Sequence, residues 1–165
     1  MNTVFELIKA DRANPVIQDA MLLYGKLIGS WRVESTWFDK GVPVRNATGE
    51  WHFTWILGGN GIQDVLFADG FAKEKYGTTI RCYDSQSGYW RATWMQPGYH
   101  EFAQMIGRYE NNEIVQEIMG LTGKREIWRF KDITENEFTW LDQVSFDDGK
   151  TWTVEQEMRC HRFKM

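Results

Sequence analysis

The sequence is poor in the residues that mark disulfide-rich and metal-binding proteins. It has two cysteines, Cys82 and Cys160, which lie far apart and form no Cys-x-x-Cys motif. We therefore expect two free thiols in a reducing compartment rather than a disulfide framework. The three histidines, at positions 52, 100 and 161, are never four residues apart. No metal site is therefore predicted.

Positive charge and long apolar runs are also scarce. Lys and Arg number 19 against 23 Asp and Glu, the net charge is -4, and no basic stripe follows any segment. This balance argues against a nucleic-acid partner. No apolar run approaches the ~18 residues of a membrane span. Glu6 and Lys9 interrupt the N-terminal segment, so we expect no signal peptide, no membrane partner and a cytoplasmic location.

No motif for a nucleotide, a cofactor or a nucleophile is present. The segment Gly58-Gly59-Asn60-Gly61 lies between two strand-like runs and is not followed by Lys and Ser or Thr. It predicts a hairpin turn rather than a phosphate loop. There is no Gly-x-Ser-x-Gly nucleophile motif. We therefore predict no cofactor, and whether the protein is an enzyme stays open.

Aromatic residues, by contrast, are abundant. Nine Trp, ten Phe and six Tyr occur among 165 residues, a length typical of one domain. We expect a single domain over residues 1–165, with a helical lead at 1–28 and a barrel at 29–165. Large aromatics bury about 150–250 Å² each. A small barrel hides only part of them in its core, so we expect the rest at a cavity or a subunit interface.

Periodicity predicts two helices followed by strands only. Residues 3–10 form a short helical segment, and Asn14-Pro15 starts a second helix with apolar residues at helical spacing as far as Leu27. Ten strand-like runs follow, at 30–39, 48–57, 62–68, 77–83, 89–96, 100–109, 113–119, 125–132, 137–146 and 151–163. Turn residues separate them, which favours antiparallel neighbours. The fold class is therefore all-β: an antiparallel up-and-down barrel of 8–10 strands with an N-terminal helix. A flat sheet packed on the helix is the alternative, and it would expose many aromatics.

The run Gly29-Ser30-Trp31 resembles the Gly-x-Trp motif of the first strand in lipocalins and the wider calycin superfamily. In those proteins the tryptophan packs near the barrel base against a basic side chain from the last strand. The resemblance therefore implies a structural pair of Trp31 with Arg162, with Arg159 as the other basic residue available. A cation over an indole contributes about 0.5–2 kcal/mol.

Four further segments resemble an uncharacterised bacterial family of lipocalin-like domains of unknown function. These are residues 49–59 and 62–65, Tyr83-Asp84 before Trp90, and residues 147–152. The resemblance implies the barrel and leaves its function unassigned. The sequence lacks the glycine-rich loop and axial histidine arrangement of nitrobindin-like haem barrels, so haem is not expected.

One aromatic face is the candidate ligand site. Residues four apart on a strand share a face, as Trp51 and Trp55 do. The candidates for the walls around a flat apolar ligand are Trp37, Trp51, Phe53, Trp55, Trp90 and Trp94. The alternative is that they form ordinary core. Arg159 on the last strand is the candidate anchor for a ligand carboxylate, because arginine can bind one through two hydrogen bonds.

The opposite face holds the candidates for catalysis. His52 and Glu50 share one side of a strand, where a carboxylate can set the charge and tautomer of the imidazole. Solvated positions outside the barrel are the alternative. One of Gln63 and Asp64 faces inward, because neighbouring strand residues point to opposite sides. If it is Asp64, then Arg81, Arg91 or Arg129 is its expected partner; otherwise Asp64 is a solvated carboxylate.

We therefore predict a barrel that binds a small hydrophobic or aromatic molecule. A cofactor-independent cyclase or isomerase acting in the same cavity is one alternative, and it leaves little sequence signature because it works by positioning. A polar pair inside the pocket would favour it. A homodimeric interaction module is the other alternative, suggested by the excess of aromatics.

Overall fold

A computed structural model describes residues 3–164 and shows a closed antiparallel β-barrel. Residues 1, 2 and 165 of the predicted domain lie outside the described part. Ten strands, β2 to β11, each pair with the next along the chain, and β11 closes the barrel on β2. The strands are β1 Lys9–Ala10, β2 Gly29–Asp39, β3 Val42–Ile56, β4 Gly61–Ala68, β5 Gly77–Asp84, β6 Tyr89–Gln96, β7 Glu101–Glu110, β8 Glu113–Ile118, β9 Arg125–Lys131, β10 Glu137–Ser145 and β11 Thr153–Phe163. The predicted fold class is confirmed.

The N-terminal segment differs in detail from its prediction. Helix α1 covers Val4–Ile8. Strand β1 then pairs with Trp55 and Ile56 at the end of β3, beyond the residues of β3 that pair with β2. The Asn14 side chain accepts a hydrogen bond from the Val16 backbone N–H at 3.0 Å and starts one 3₁₀ turn. The regular helix α2 covers only Gln18–Gly25, because Ile17 has non-helical backbone angles. No helix of the described residues is long and apolar enough to cross a membrane.

Helix α2 seals one end of the barrel. Met21, Tyr24 and Leu27 are fully buried there, and the Tyr24 ring meets the Trp90 ring edge-on at 4.6 Å. A Cβ at Gly107 would lie 2.3 Å from the Tyr24 hydroxyl, so this wall position needs a glycine. We call this half of the barrel the closed half.

Strand alternation decides which side chains point inward. On β3, Trp51 and Phe53 are 2% and 4% exposed, whereas Glu50 and His52 lie on the outer wall. A period of two puts every second residue on the same face. The core continues around the closed half with Trp31, Ile62, Trp90, Ile114, Phe130, Phe138 and Cys160. Both cysteines are free, and burial raises the pKa of the Cys160 thiol.

Trp31 and Arg162 lie together at the closed end. The Arg162 guanidinium is 4.0 Å from the centre of the Trp31 ring and donates to the Ile28 carbonyl at 2.7 Å. Gly29 has φ +126°, and a Cβ there would lie 2.4 Å from the Arg162 Nη1 atom. The glycine of the Gly-x-Trp motif therefore makes room for the arginine that covers the tryptophan.

An ion pair lies inside the closed half. Asp64 on β4 and Arg81 on β5 form a salt bridge with both side chains fully buried. The Thr79 backbone N–H donates to the second Asp64 oxygen at 2.9 Å, and Arg81 Nε donates to Gln116 Oε1 at 2.8 Å. Of the three arginines considered as partners from sequence, Arg81 is the one in contact. The two charges neutralise each other, as buried charges require, while the Arg81 Nη2 atom has no hydrogen-bond partner among residues 3–164.

Candidate functional site

A cavity of about 420 Å³ opens at the end of the barrel opposite α2. Helix α2 leads into the start of β2, whereas the cavity residue Trp37 lies near the end of that strand. We call this half the open half. The cavity has the size of typical small-molecule sites, which are about 300–1,000 Å³. Within residues 3–164, this cavity is the candidate functional site.

Five tryptophans line the cavity. Trp37, Trp51 and Trp94 come from the face that the sequence predicted, on β2, β3 and β6. The sequence analysis missed Trp128 on β9 and Trp140 on β10. The rings of Trp128 and Trp140 meet edge to face with their centres 5.3 Å apart. Trp94 and Trp128 meet in the same arrangement with their centres 5.9 Å apart. A signal for the missed pair did exist, because each shares its strand face with a phenylalanine two residues away.

The other predicted wall residues pack elsewhere. Phe53 and Trp90 lie in the core of the closed half. The Trp55 ring is half-buried and passes about 3.0 Å from the position of a Cβ on Gly25 of α2. These three side chains hold the barrel to its helix and do not line the cavity.

Arg159 is on the outside of the barrel. Its neighbours Met158 and Cys160 are buried inside, so strand alternation turns Arg159 outward. It donates to Glu157 at 3.0 Å, and its side chain is 68% exposed. It is therefore not placed to anchor a ligand carboxylate in the cavity.

His52 and Glu50 contact each other on the outer wall. His52 Nε2 is 2.9 Å from Glu50, and Nδ1 is 2.9 Å from the Ser30 hydroxyl. The imidazole also stacks on Phe67 with ring centres 5.8 Å apart. Neither residue lines the cavity. Across residues 3–164, no three His, Cys, Asp or Glu side chains come together as a metal site.

Several buried polar atoms around the cavity have no hydrogen-bond partner. They are the indole nitrogens of Trp51 and Trp140 and the hydroxyl of Thr79, and none of them has a partner within residues 3–164. An indole N–H is a donor only, so each needs an acceptor. Because buried polar groups in native proteins almost always find partners, these atoms indicate an occupant.

Asp142 adds an ionisable group to the same wall. It lies on β10 opposite Trp128 of β9, and it has no salt-bridge partner in the described part of the molecule. Burial, together with the charges of Glu126 and Glu155, raises its pKa to about 8. Lys124, which binds Glu126 at 2.7 Å, and a hydrogen bond from the Trp128 side chain both oppose this rise in the pKa of Asp142. The Asp142 carboxyl is therefore largely protonated at neutral pH and can donate or accept a proton.

Two further charged side chains line the cavity. The Arg45 guanidinium stacks on Trp37 at 4.4 Å from the ring centre. The Glu101 carboxylate lies 3.5 Å from the Trp94 indole nitrogen, across the cavity from Arg45. The lining charge is thus dominated by carboxyl groups, from Glu101, Glu126 and Asp142, against one guanidinium.

Two solved structures share this architecture. A structure of Rv2717c from M. tuberculosis has a TM-score of 0.58 at 16% identity, covering 92% of this chain and 99% of that one. A structure of the S-type phycobiliprotein lyase CPES from Guillardia theta has a TM-score of 0.53 at 10% identity, covering 86% and 91%. The fold is of the lipocalin-like type. No family model and no curated protein matches the chain. The resemblance to the bacterial family of unknown function stays a prediction.

Proposed function

We propose that the protein binds a small, flat, aromatic molecule in the cavity of the open half. The observation that carries the proposal is a cavity lined by five tryptophans, two of which, Trp51 and Trp140, are buried with indole N–H groups that have no acceptor among residues 3–164. Such groups are costly to bury unpaired, by about 1–3 kcal/mol each. A ligand that supplies acceptor atoms would remove this cost.

The shape of the walls supports an aromatic ligand. The rings of Trp94, Trp128 and Trp140 meet edge to face, with centres 5.3–5.9 Å apart. Each ring therefore leaves part of a face or edge free toward the cavity. Aromatic pairs prefer such edge-to-face or offset stacks, which a flat ligand extends.

A fluorescence titration with acridone tests the proposal. Acridone is neutral, has three fused rings and carries one carbonyl acceptor. We expect it to quench tryptophan emission and to bind with one-to-one stoichiometry. Ser35 lines the cavity and is 9% exposed, so Ser35→Leu should fill the site and lower the affinity at least tenfold. Thr36→Leu changes the adjacent residue of β2, which faces outward, and is the matched control.

The proposal fails if acridone does not bind, or if Ser35→Leu and Thr36→Leu bind it equally while both remain folded by circular dichroism. Native mass spectrometry of freshly purified protein complements the titration. A stoichiometric small molecule released on denaturation would give the class of the natural ligand.

A second candidate function is a cofactor-independent isomerase or cyclase in the same cavity. Asp142 favours it, because a pKa of about 8 suits proton transfer near neutral pH. In that case Asp142 takes the acid–base role for which the sequence suggested His52. Chromatography of the recovered ligand after incubation with wild-type protein and with Asp142→Asn would test it, since only the wild type should change the ligand.

Dimerisation of the protein remains a prediction, and two exposed phenylalanines support it. Phe102 and Phe146 are 67% and 73% exposed on the outer surface of the chain. Large exposed apolar side chains often mark interfaces. Light scattering on the wild type and on Phe102→Ser with Phe146→Ser would show whether these residues hold a dimer.

A further inference from the structure

We propose that the Asp142 side of the cavity is a subsite for a positively charged nitrogen, so that the ligand is an aromatic cation or an aromatic base. This inference rests on the proposed function, since it names the class of molecule that the cavity would bind. It differs from the sequence-based expectation of a carboxylate held by arginine.

The first support is the distribution of charge around the cavity. Glu101, Glu126 and Asp142 line it, and Arg45 is the one lining cation. Arg45 is already stacked on Trp37. Lys124 lies behind Glu126 rather than in the lining. A carboxylate ligand would therefore meet three acidic groups, whereas a cation would meet complementary charge.

The second support is that Asp142 lacks the partner that the other inward aspartate has. Asp64 is bound by Arg81 and by a backbone N–H. Asp142 has no salt-bridge partner among the residues described, and the hydrogen bond from Trp128 and the charge of Lys124 lower its pKa less than burial and two neighbouring glutamates raise it. A buried carboxylate is stable only when it is paired. A ligand cation would supply the missing charge.

The third support is the aromatic wall itself. The faces of Trp side chains attract cations within about 6 Å of the ring centre, and the attraction grows when water is excluded. Trp128 lies directly opposite Asp142 across the β9–β10 pairing, and Trp140 precedes it on the same face. A cationic ring next to Asp142 would thus contact a carboxylate and indole rings together. The indole N–H groups would bind acceptors elsewhere on the ligand.

The proton balance follows from the state of Asp142. At neutral pH its carboxyl holds a proton, so a permanent cation displaces that proton to solvent as the carboxylate forms. A neutral base instead takes the proton itself: the carboxyl O–H bond breaks, an N–H bond forms, and an ion pair results. The charged groups that face Asp142 are Glu126 from β9, Glu155 from β11 and Lys124 before β9.

The test compares three three-ring probes: 10-methylacridinium as a permanent cation, 9-anthracenecarboxylate as an anion and acridone as the neutral reference. The variant is Asp142→Asn, which keeps the size of the side chain and cannot ionise. The matched control is Asp132→Asn. Asp132 is 72% exposed, pairs only with Lys131, and has φ +53°, which asparagine tolerates.

We expect the affinity of the wild type for 10-methylacridinium to rise about 25-fold from pH 6.5 to 8.5, as the Asp142 carboxyl ionises. Asp142→Asn should lose this rise and bind the cation at least fivefold more weakly at pH 8.5. The ratio of its affinity for 10-methylacridinium to its affinity for acridone at pH 8.5 should fall at least fivefold below the wild-type ratio. Asp132→Asn should behave as the wild type with all three probes.

The inference is overturned if the rise persists in Asp142→Asn, or if the wild type prefers 9-anthracenecarboxylate to the cation at pH 8.5. Failure of acridone to bind would instead overturn the proposed function and this inference with it. Should Asp142→Asn not fold, calorimetry of the wild type at pH 7 in two buffers decides. About 0.9 proton should be released per bound cation, and release of none would refute the subsite.

Discussion

The two halves of the barrel treat the same kind of residue differently. In the closed half, inward-facing Asp64 has Arg81 and a backbone donor as partners. In the open half, inward-facing Asp142 has no salt-bridge partner among the described residues and has a pKa of about 8. One carboxyl is therefore part of the folded framework, whereas the other remains available to a ligand. The two aspartates differ in whether a cation is paired with them, and not in whether they are buried.

The tryptophans repeat this difference. Trp31 in the closed half donates its indole N–H to the Leu27 carbonyl at 2.7 Å. Trp140 in the open half has no acceptor among residues 3–164. Both halves contain buried aromatic rings, so hydrophobicity alone does not separate them. The two tryptophans differ in whether the buried indole N–H has an acceptor, which Trp31 has and Trp140 lacks among the described residues.

The largest predicted effect is in the closed half. Arg81→Leu leaves Asp64 buried without its cation, and we expect it to lower the free energy of unfolding by about 3–5 kcal/mol in urea titrations. Adding Asp64→Leu should recover most of that loss. Arg91→Leu on the next strand removes only an exposed ion pair at 3.4 Å, so it should cost under about 1 kcal/mol. A small effect of Arg81→Leu would show that the pair is not structural.

The second-largest effect is expected when a buried side chain of α2, the helix that seals the barrel, is shortened. Met21 of α2 is fully buried, and Met21→Ala should cost about 2–5 kcal/mol by leaving a cavity. Acridone affinity of the folded variant should stay within twofold, because the open half is untouched. Leu22→Ala, at a residue 49% exposed, should change stability by under about 0.5 kcal/mol. Equal losses for the two variants would contradict a sealing role for α2.

A further effect, spread over several pH units, is expected in the pH dependence of stability. The folded pKa of Asp142 is raised to about 8 from 3.8, so the unfolded chain loses this proton at lower pH than the folded protein does. The Asp142 contribution to stability is therefore full below pH 4 and is lost as pH rises to about 8. The slope is at most about 1.4 kcal/mol per pH unit. Asp142→Asn should flatten the curve of unfolding free energy between pH 5 and 8, and Asp132→Asn should not.

The smallest effect is expected on the outer wall. His52→Gln removes the ring that stacks on Phe67 and keeps a polar side chain near Glu50. Because His52 does not line the cavity, the affinity for acridone should stay within twofold of the wild type by titration. A fall of more than threefold would place the outer wall in the ligand site and weaken the contrast between the two halves.

The sequence predicted the barrel more accurately than the site. Alternation on β3 put Trp51 inside and His52 outside, and both positions are as the period of two requires. A lining role was predicted for six aromatic residues. Trp37, Trp51 and Trp94 line the cavity, whereas Phe53, Trp55 and Trp90 pack in the closed half. The alternation of side chains shows which residues share a strand face, but it does not show which end of the barrel they lie near.

By itself, the sequence determined the all-β class, the succession of antiparallel strands and which aromatic residues share a strand face, because turns and alternation are local properties of the chain. The tertiary structure alone decided which end α2 seals and that Arg81, rather than Arg91 or Arg129, meets Asp64. It also decided that Trp128, Trp140 and Asp142 face one cavity. These contacts depend on cross-strand register and on barrel closure, which bring together residues from β3 to β11 that no local pattern connects.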